Sequence, residues 1–313
     1  MANKRVGLLV GRERSFPDAL IAEVNRRGAG VEAAYAQVEA TRAWQPLPYD
    51  VLLDRISHDV TCYQPVLKVA SLHGTRVINN PFWRIADDKF FNAALAERLG
   101  VKVPRTVVLP SKDYGEDVNA QSLTNLRYVD WKQIEAELGF PMFIKPHWGG
   151  GWRSVSRVSS REELFAAYDQ SGRLTMMLQQ EIRWVQYVRC LVVGGREVRP
   201  ALWDPRQPHF QRYTEAPRTM PPLSDDVLAR VVADARTLNL ALGYDMNTVE
   251  FAVTERGEPY AIDFMNSAPD LDVTSLGEQH FAWVVEKMAD LVIRAALDPS
   301  SAPAHHWNEL LGA

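Results

Sequence analysis

The chain has 313 residues, 46% hydrophobic and 24% charged, with a formal net charge of −4. That length fills two or three packed layers and more than one domain, and no block of like charge offers a footprint for nucleic acid or an anionic membrane surface. Cys62 and Cys190 stand outside any C-x-x-C pattern, and no apolar run approaches the roughly 18–20 residues of a bilayer span. Met1-Ala-Asn-Lys-Arg-Val leads into a strand without a signal-peptide core. The expectation is a cytoplasmic protein with reduced thiols that binds neither nucleic acid nor membrane.

The first eighty or so residues alternate in the doubly wound manner. Strands are expected at Val6–Val10, Val31–Val38, Tyr49–Ile56 and Thr75–Ile78, with helices at Phe16–Arg27 and Gln64–His73, giving a parallel sheet with helices on both faces. Asn79-Asn80-Pro81 marks a boundary. Apolar spacing predicts a helix over Asp87–Leu99 with Gly100 at its C′ position, then a strand at Val103–Leu109. Residues 110–130 read as a long polar loop, either a lid or a surface insertion. A short helix (Trp131–Leu138) leads to an apolar strand at Met142–Ile144 and a returning strand at Val155–Val158, followed by a helix over Ser160–Gln170. Strands follow at Met176–Glu181, Tyr187–Val193 and Val198–Trp203, the last two joined by a Val193-Gly-Gly-Arg196 turn. A long helix over Leu223–Leu242, a hairpin of Thr248–Val253 with Tyr260–Met265, and a helix over Phe281–Leu297 complete the pattern. His305 and His306 belong to a tail with no ligand pattern around them.

Three elements carry chemistry. The first is Pro141-Met-Phe-Ile-Lys145-Pro-His-Trp-Gly149-Gly150-Gly151-Trp-Arg-Ser154, a strand delivering a lysine into consecutive glycines. Glycines let backbone N–H groups approach an anion closely, and Lys145 supplies a compact positive charge. The loop is neither a Walker motif nor a G-x-G-x-x-G fingerprint. The second is the acid-bearing hairpin, Asn247-Thr-Val-Glu250-Phe against Ala261-Ile-Asp263-Phe-Met-Asn266. Carboxylates interrupting apolar strands are costly unless paired or metal-bound, and an all-oxygen donor set suits Mg²⁺ shared with phosphates. The third is Asp88-Lys89 at a helix start, a second lysine able to approach the same phosphates.

In this order, the parts resemble the ATP-grasp superfamily over residues 1–297, nearest to the branch holding glutathione synthetase and the RimK-type glutamate ligases. The resemblance implies an α/β protein of ATP-grasp fold, with a Rossmann-like parallel N-terminal domain followed by two α+β subdomains that clasp ATP. The expected divisions are 1–82, 83–178, 179–300 and a tail 301–313. It implies that Lys89 and Lys145 hold the α/β phosphates, and that Gly149, Gly150, Gly151 and Ser154 belong to a loop closing over the γ-phosphate. His147, Trp148, Trp152 and Arg153 would form its bulky tip. Gln180, Glu181 and Ile182 match the hinge that reads adenine, with Gln186 the nearest residue for the ribose. Glu250, Asp263 and Asn266 match the Mg²⁺ ligands, with Mn²⁺ as an alternative ion. Arg189 would face the acyl phosphate or acceptor. The family's Glu-x-Asn pair is one residue longer here, so either a bulge restores the geometry or Asp270 or Asp272 substitutes for Asn266. Tyr187 stands where RimK-type ligases tend to carry an aspartate, which departs from a glutamate-specific pattern.

The implied reaction is ligation of a small-molecule carboxylate to an amine or thiol through an acyl phosphate, with an amino acid or small peptide as substrate and a homodimer admissible. Lys145 and Arg189 would neutralise charge, and Arg199 would clamp a substrate carboxylate. Arg55, Ser57 and His58, following a strand's carboxyl end, are candidates for recognising the acceptor. Two rivals are a kinase of the same fold acting on a small metabolite and a nucleotide-binding regulatory module without turnover.

Overall fold

The computed structural model describes residues 3–82, 88–149, 153–264 and 266–298. Gly150, Gly151, Trp152, Met265 and the tail with His305 and His306 lie outside the described residues.

A parallel sheet is built from β1 (Lys4–Leu9), β2 (Val31–Tyr35), β3 (Val51–Asp54) and β4 (Arg76–Ile78) in the order β2-β1-β3-β4. The crossover helices are α1 (Ser15–Arg27) and α2 (Tyr63–Leu72). α1 stops where Gly28 takes a positive φ of 58°, a conformation that glycine adopts without a Cβ penalty. The expected strands are all present; β1 begins two residues earlier than expected, β2, β3 and β4 are shorter, and Tyr49 and Ile56 pack from the loops that flank β3.

Next come α3 (Lys89–Arg98), β5 (Thr106–Val108), α4 (Trp131–Leu138), β6 (Met142–Pro146), β7 (Ser156–Val158), α5 (Arg161–Asp169) and β8 (Met176–Gln180). The strands form an antiparallel sheet of order β5-β8-β6-β7. Met142 and Ile144 face a core that also holds Ile134 and Leu138 of α4 and Leu164 of α5. Successive strand residues point to opposite faces, so Lys145 and its cross-strand neighbour Met177 lie on the other face.

The third sheet has the order β10-β9-β11-β12, from β9 (Gln186–Val193), β10 (Glu197–Leu202), β11 (Met246–Val253) and β12 (Pro259–Asp263). In the β9–β10 turn both Gly194 and Gly195 take positive φ, 62° and 70°. One face of this sheet (Val188, Cys190, Val192, Val249, Phe251) packs on α7 (Asp225–Leu242), together with Leu95 and Ala96 of α3. Its other face (Leu191, Val193, Met246) shares a core with α9 (Glu278–Leu297) and with Val6, Leu8 and Leu20 of the N-terminal unit. The sequence pattern missed two short helices, α6 (Ala216–Thr219) and α8 (Val273–Leu276), each too brief for periodicity to reveal. No helix among the described residues is long and apolar enough to cross a membrane.

Candidate active site

Lys145 leaves β6 on the face away from the helices, and its Nζ donates to Gln179 Oε1 at 2.8 Å. Gln179 is buried and held in turn by Thr106 Oγ1 at 3.1 Å. Burial pushes the Lys145 ammonium down to about 8, aided by the like charge of Lys89 and opposed by Asp263 and Glu250. Asp88 caps α3, accepting from the backbone N–H groups of Phe90 and Phe91 at 3.0 and 3.1 Å. The Lys89 N–H donates to the His147 carbonyl at 2.9 Å, which ties the start of α3 to the chain just beyond Lys145. Lys89 Nζ lies 3.3 Å from Asp263 Oδ1. Lys89, Asn92, Lys145, Gln179, Ile262 and Asp263 line one cleft between the two antiparallel sheets.

Glu250 stands opposite Asp263, and the register shifts between Glu250 and Phe251 because Phe251 pairs with Ala261. Ile262 is therefore the extra residue of a bulge, which turns the Asp263 side chain onto the same face as Glu250. The bulge precedes Asp263. The Asn266 backbone N–H donates to Asn247 Oδ1 at 2.7 Å, and its own Oδ1 accepts from the Ala268 N–H at 3.3 Å. Asp272 caps α8 and accepts from Ser15 Oγ at 2.7 Å, while Asp270 lies 2.9 Å from His209 Nε2. Among the described residues no group of three or more His, Cys, Asp or Glu side chains is arranged to hold a metal ion. Asp263 lines the cleft, and Glu250 stands opposite it on β11.

Glu250 is recessed. Tyr187 donates its hydroxyl proton to Glu250 Oε2 at 3.1 Å, and Arg189 Nε lies 3.5 Å from Oε1 without completing a hydrogen bond. Burial holds the Glu250 carboxyl above its usual range although Arg189 opposes the shift. Arg189 spends its terminal nitrogens on Tyr213 Oη at 3.3 Å and Thr248 Oγ1 at 3.2 Å. Arg199 lies on the same sheet face, with its Nε 2.8 Å from His280 Nδ1. Sequence reasoning missed Tyr213, Gln179 and His280. Tyr213 sits in an aperiodic stretch, and the other two side chains become meaningful only through partners distant in the chain.

Other expected residues are less free than their positions imply. Both donors of the Gln186 amide go to the carbonyls of Pro221 and Pro222, at 3.1 and 2.7 Å. Glu181 is gripped by Arg157, with Nε 2.6 Å from Oε1, and Ile182 packs against the shared core. The Gln180 N–H donates to the Arg105 carbonyl at 2.9 Å. Gly149 has φ 95° and Ser154 φ 55°, the latter a left-handed conformation unusual for a residue with a Cβ. Arg55 is buried, bidentate to Glu13 at 2.9 and 2.7 Å and donating to the Pro269 carbonyl at 2.7 Å. It fastens the N-terminal unit to the loop after β12. Ser57 and His58 line a second, larger cleft at the carboxyl end of β3, together with Asp54, Asn79 and Ser267.

No family model matches the chain. It is 25% identical over 290 residues to the carbamoyl phosphate synthase large chain of Deinococcus deserti, covering 76% of this chain and 26% of that protein. It is 28% identical over 216 residues to a D-alanine–D-alanine ligase of Paenarthrobacter aurescens, covering 62% and 53%. The chain thus spans from about a quarter to about half the length of these curated relatives. Among solved structures, an ATP-grasp RimK domain protein from Sphaerobacter thermophilus superposes with a TM-score of 0.64 at 19% identity, over 94% of this chain and all (100%) of that one. A Bacillus anthracis D-alanine–D-alanine ligase complexed with ATP gives a TM-score of 0.63 at 15% identity, over 94% and 97%. The chain thus has the ATP-grasp fold along nearly its whole length, and its sequence is similar to that of proteins named as D-alanine–D-alanine ligases.

Proposed function

We propose that this chain is an ATP-dependent ligase that joins a small-molecule carboxylate to an amine, or to a thiol, through an acyl phosphate. The observation that carries the reading is the convergence of Lys89, Lys145 and Asp263 at one cleft between two antiparallel sheets, with Glu250 opposite Asp263 on the neighbouring strand. Two lysines in one recess repel each other, and a polyphosphate would supply the charge that holds them there. Two carboxylates facing that recess fit Mg²⁺, which takes one or two protein carboxylates and fills its sphere with phosphate oxygens and water. Glu250 and Asp263 would hold it, with Asn266 beside them, and Mn²⁺ suits the same oxygen donors. Bound there, the ion would neutralise and orient the terminal phosphates.

The chain's own groups then have distinct tasks. Lys89 and Lys145 bind the phosphates, and the backbone at Gly149 and Ser154 closes over them and excludes water from the acyl phosphate. The hinge Gln180–Ile182 receives adenine through backbone groups. The substrate carboxylate oxygen attacks the γ-phosphorus as its bond to the bridging oxygen breaks and ADP leaves. The amine nitrogen then attacks the acyl carbon, the carbon–oxygen bond to phosphate breaks, and the amine loses a proton. Arg189 and Tyr187 keep the Glu250 carboxylate aimed at the site throughout. Ser57 and His58, in the second cleft, are candidates for recognising the amine.

The test is ADP release with Mg-ATP over amino acids and dipeptides, singly and in pairs, with mass detection of the product. Lys145→Ala and Asp263→Ala should each abolish release, lowering it by at least about a hundredfold as charged contacts to phosphate are lost, while the thermal transition persists. Near-normal turnover in either folded variant would overturn the assignment, and ADP formed with a phosphorylated rather than condensed product would mark a kinase.

A further inference from the structure

We propose that Arg199 and His280 form a subsite for a second carboxylate on the substrate, separate from the one that is activated. That this carboxylate belongs to a ligase substrate rests on the function proposed above; the subsite itself rests on geometry. Arg199 pairs opposite Leu191 and so shares a sheet face with Arg189, which pairs with Glu250 across β9 and β11. Diagonal neighbours on such a face lie about 7–8 Å apart, within the span of one small molecule. The Arg199 Nε donates to His280 Nδ1 at 2.8 Å, which leaves the imidazole proton on Nε2. Burial and the adjacent guanidinium push His280 down to about 4, so the ring is neutral and a donor at physiological pH.

Among the described residues no carboxylate comes within ion-pair distance of Arg199, and neither of its terminal nitrogens has a protein partner. Nearby, Arg189 lies 3.5 Å from Glu250 and Arg206 is paired with Asp204, while Arg212 donates to the Gln207 carbonyl. The two terminal nitrogens of this half-buried guanidinium match the geometry of a carboxylate. Trp283 walls the subsite, its ring centroid 5.9 Å from the guanidinium carbon. Tyr213 packs 5.7 Å from the His280 ring and accepts from Arg189 at 3.3 Å, linking the subsite to the acidic centre.

Titration calorimetry with succinate, glutarate and adipate against butyrate, in the presence of Mg-ADP, tests the subsite without turnover. At least one dicarboxylate should bind about tenfold or more tightly than butyrate, as a charge-assisted pair of hydrogen bonds requires. Arg199→Met should erase the difference and Arg199→Lys restore part of it, with thermal transitions unchanged. Equal binding of all four acids to the wild-type protein overturns the inference, as does a preference that survives in Arg199→Met. If the preference is found but no pair of substrates releases ADP, the ligase reading falls and the subsite stands.

Discussion

Burial pushes Lys145 down to about 8 from an ordinary 10.5 because β6 delivers the ammonium to a recess, where it donates to Gln179. Below about pH 8 the charge is present folded and unfolded, and the folded state carries its desolvation cost in full. Between about 8 and 10.5 the unfolded chain holds more protons, so stability from this group rises with pH. Lys145→Met should therefore stabilise the protein at pH 7 by about 1–2 kcal/mol, after allowance for the lost Gln179 bond. It should also flatten the rise between pH 8 and 10.5 and lose nucleotide binding. Thermal unfolding against pH checks this, and a variant less stable than wild type at pH 7 would contradict it. At this scale Lys145, Lys89, Glu250 and Asp263 were legible in the sequence, because a charge inside an apolar strand or at a helix start stands out locally. The engagement of Gln186 by Pro221 and Pro222, or of Arg55 by Glu13, was not, since each depends on a partner brought in by folding.

Between elements, buried polar contacts fix how the N-terminal sheet meets the third sheet. Arg76 of β4 bonds to Asp245, just before β11, and both side chains are buried. Burial raises the Asp245 carboxyl to about 6, with Arg76 opposing the shift. The folded state thus binds the extra proton between pH 3.8 and about 6, and this group's contribution to stability falls as pH rises through that window. Removing the arginine strands the carboxylate, so Arg76→Met should cost about 3 kcal/mol at pH 7 and less at pH 5, where the carboxyl protonates more readily. Asp245→Asn in the same background should recover most of the loss. Urea unfolding at the two pH values decides it, and an equal cost at both would exclude this origin. Asn79 works beside the pair: its Nδ2 donates to the Met246 and Ser267 carbonyls at 2.8 and 3.0 Å, and its Oδ1 accepts from the Asp245 and Met246 N–H groups at 2.8 Å. In the sequence Asn79-Asn80-Pro81 reads only as a stop signal.

Across the whole molecule, α9 binds the two ends of the chain into one core, with Met288 fully buried among residues of both the N-terminal unit and the third sheet. Met288→Ala should cost about 2–4 kcal/mol and lower the hydrogen-exchange protection of both sheets together. Two separable transitions, of which only one moves, would show that the core is not shared. The sequence by itself determined the order of the strands and longer helices, the parallel N-terminal unit and the chemical character of Lys89, Lys145, Glu250 and Asp263. Those follow from periodicity, turn residues and the cost of placing charge in an apolar strand, all of which act over a few neighbouring residues. Only the tertiary structure decided that the Ile262 bulge turns Asp263 toward Glu250, that Tyr187 and Arg189 hold that acid, and that Arg199 meets His280 across 81 positions. These are contacts between strands, loops and helices whose separation along the chain leaves no local trace, so packing alone brings them together.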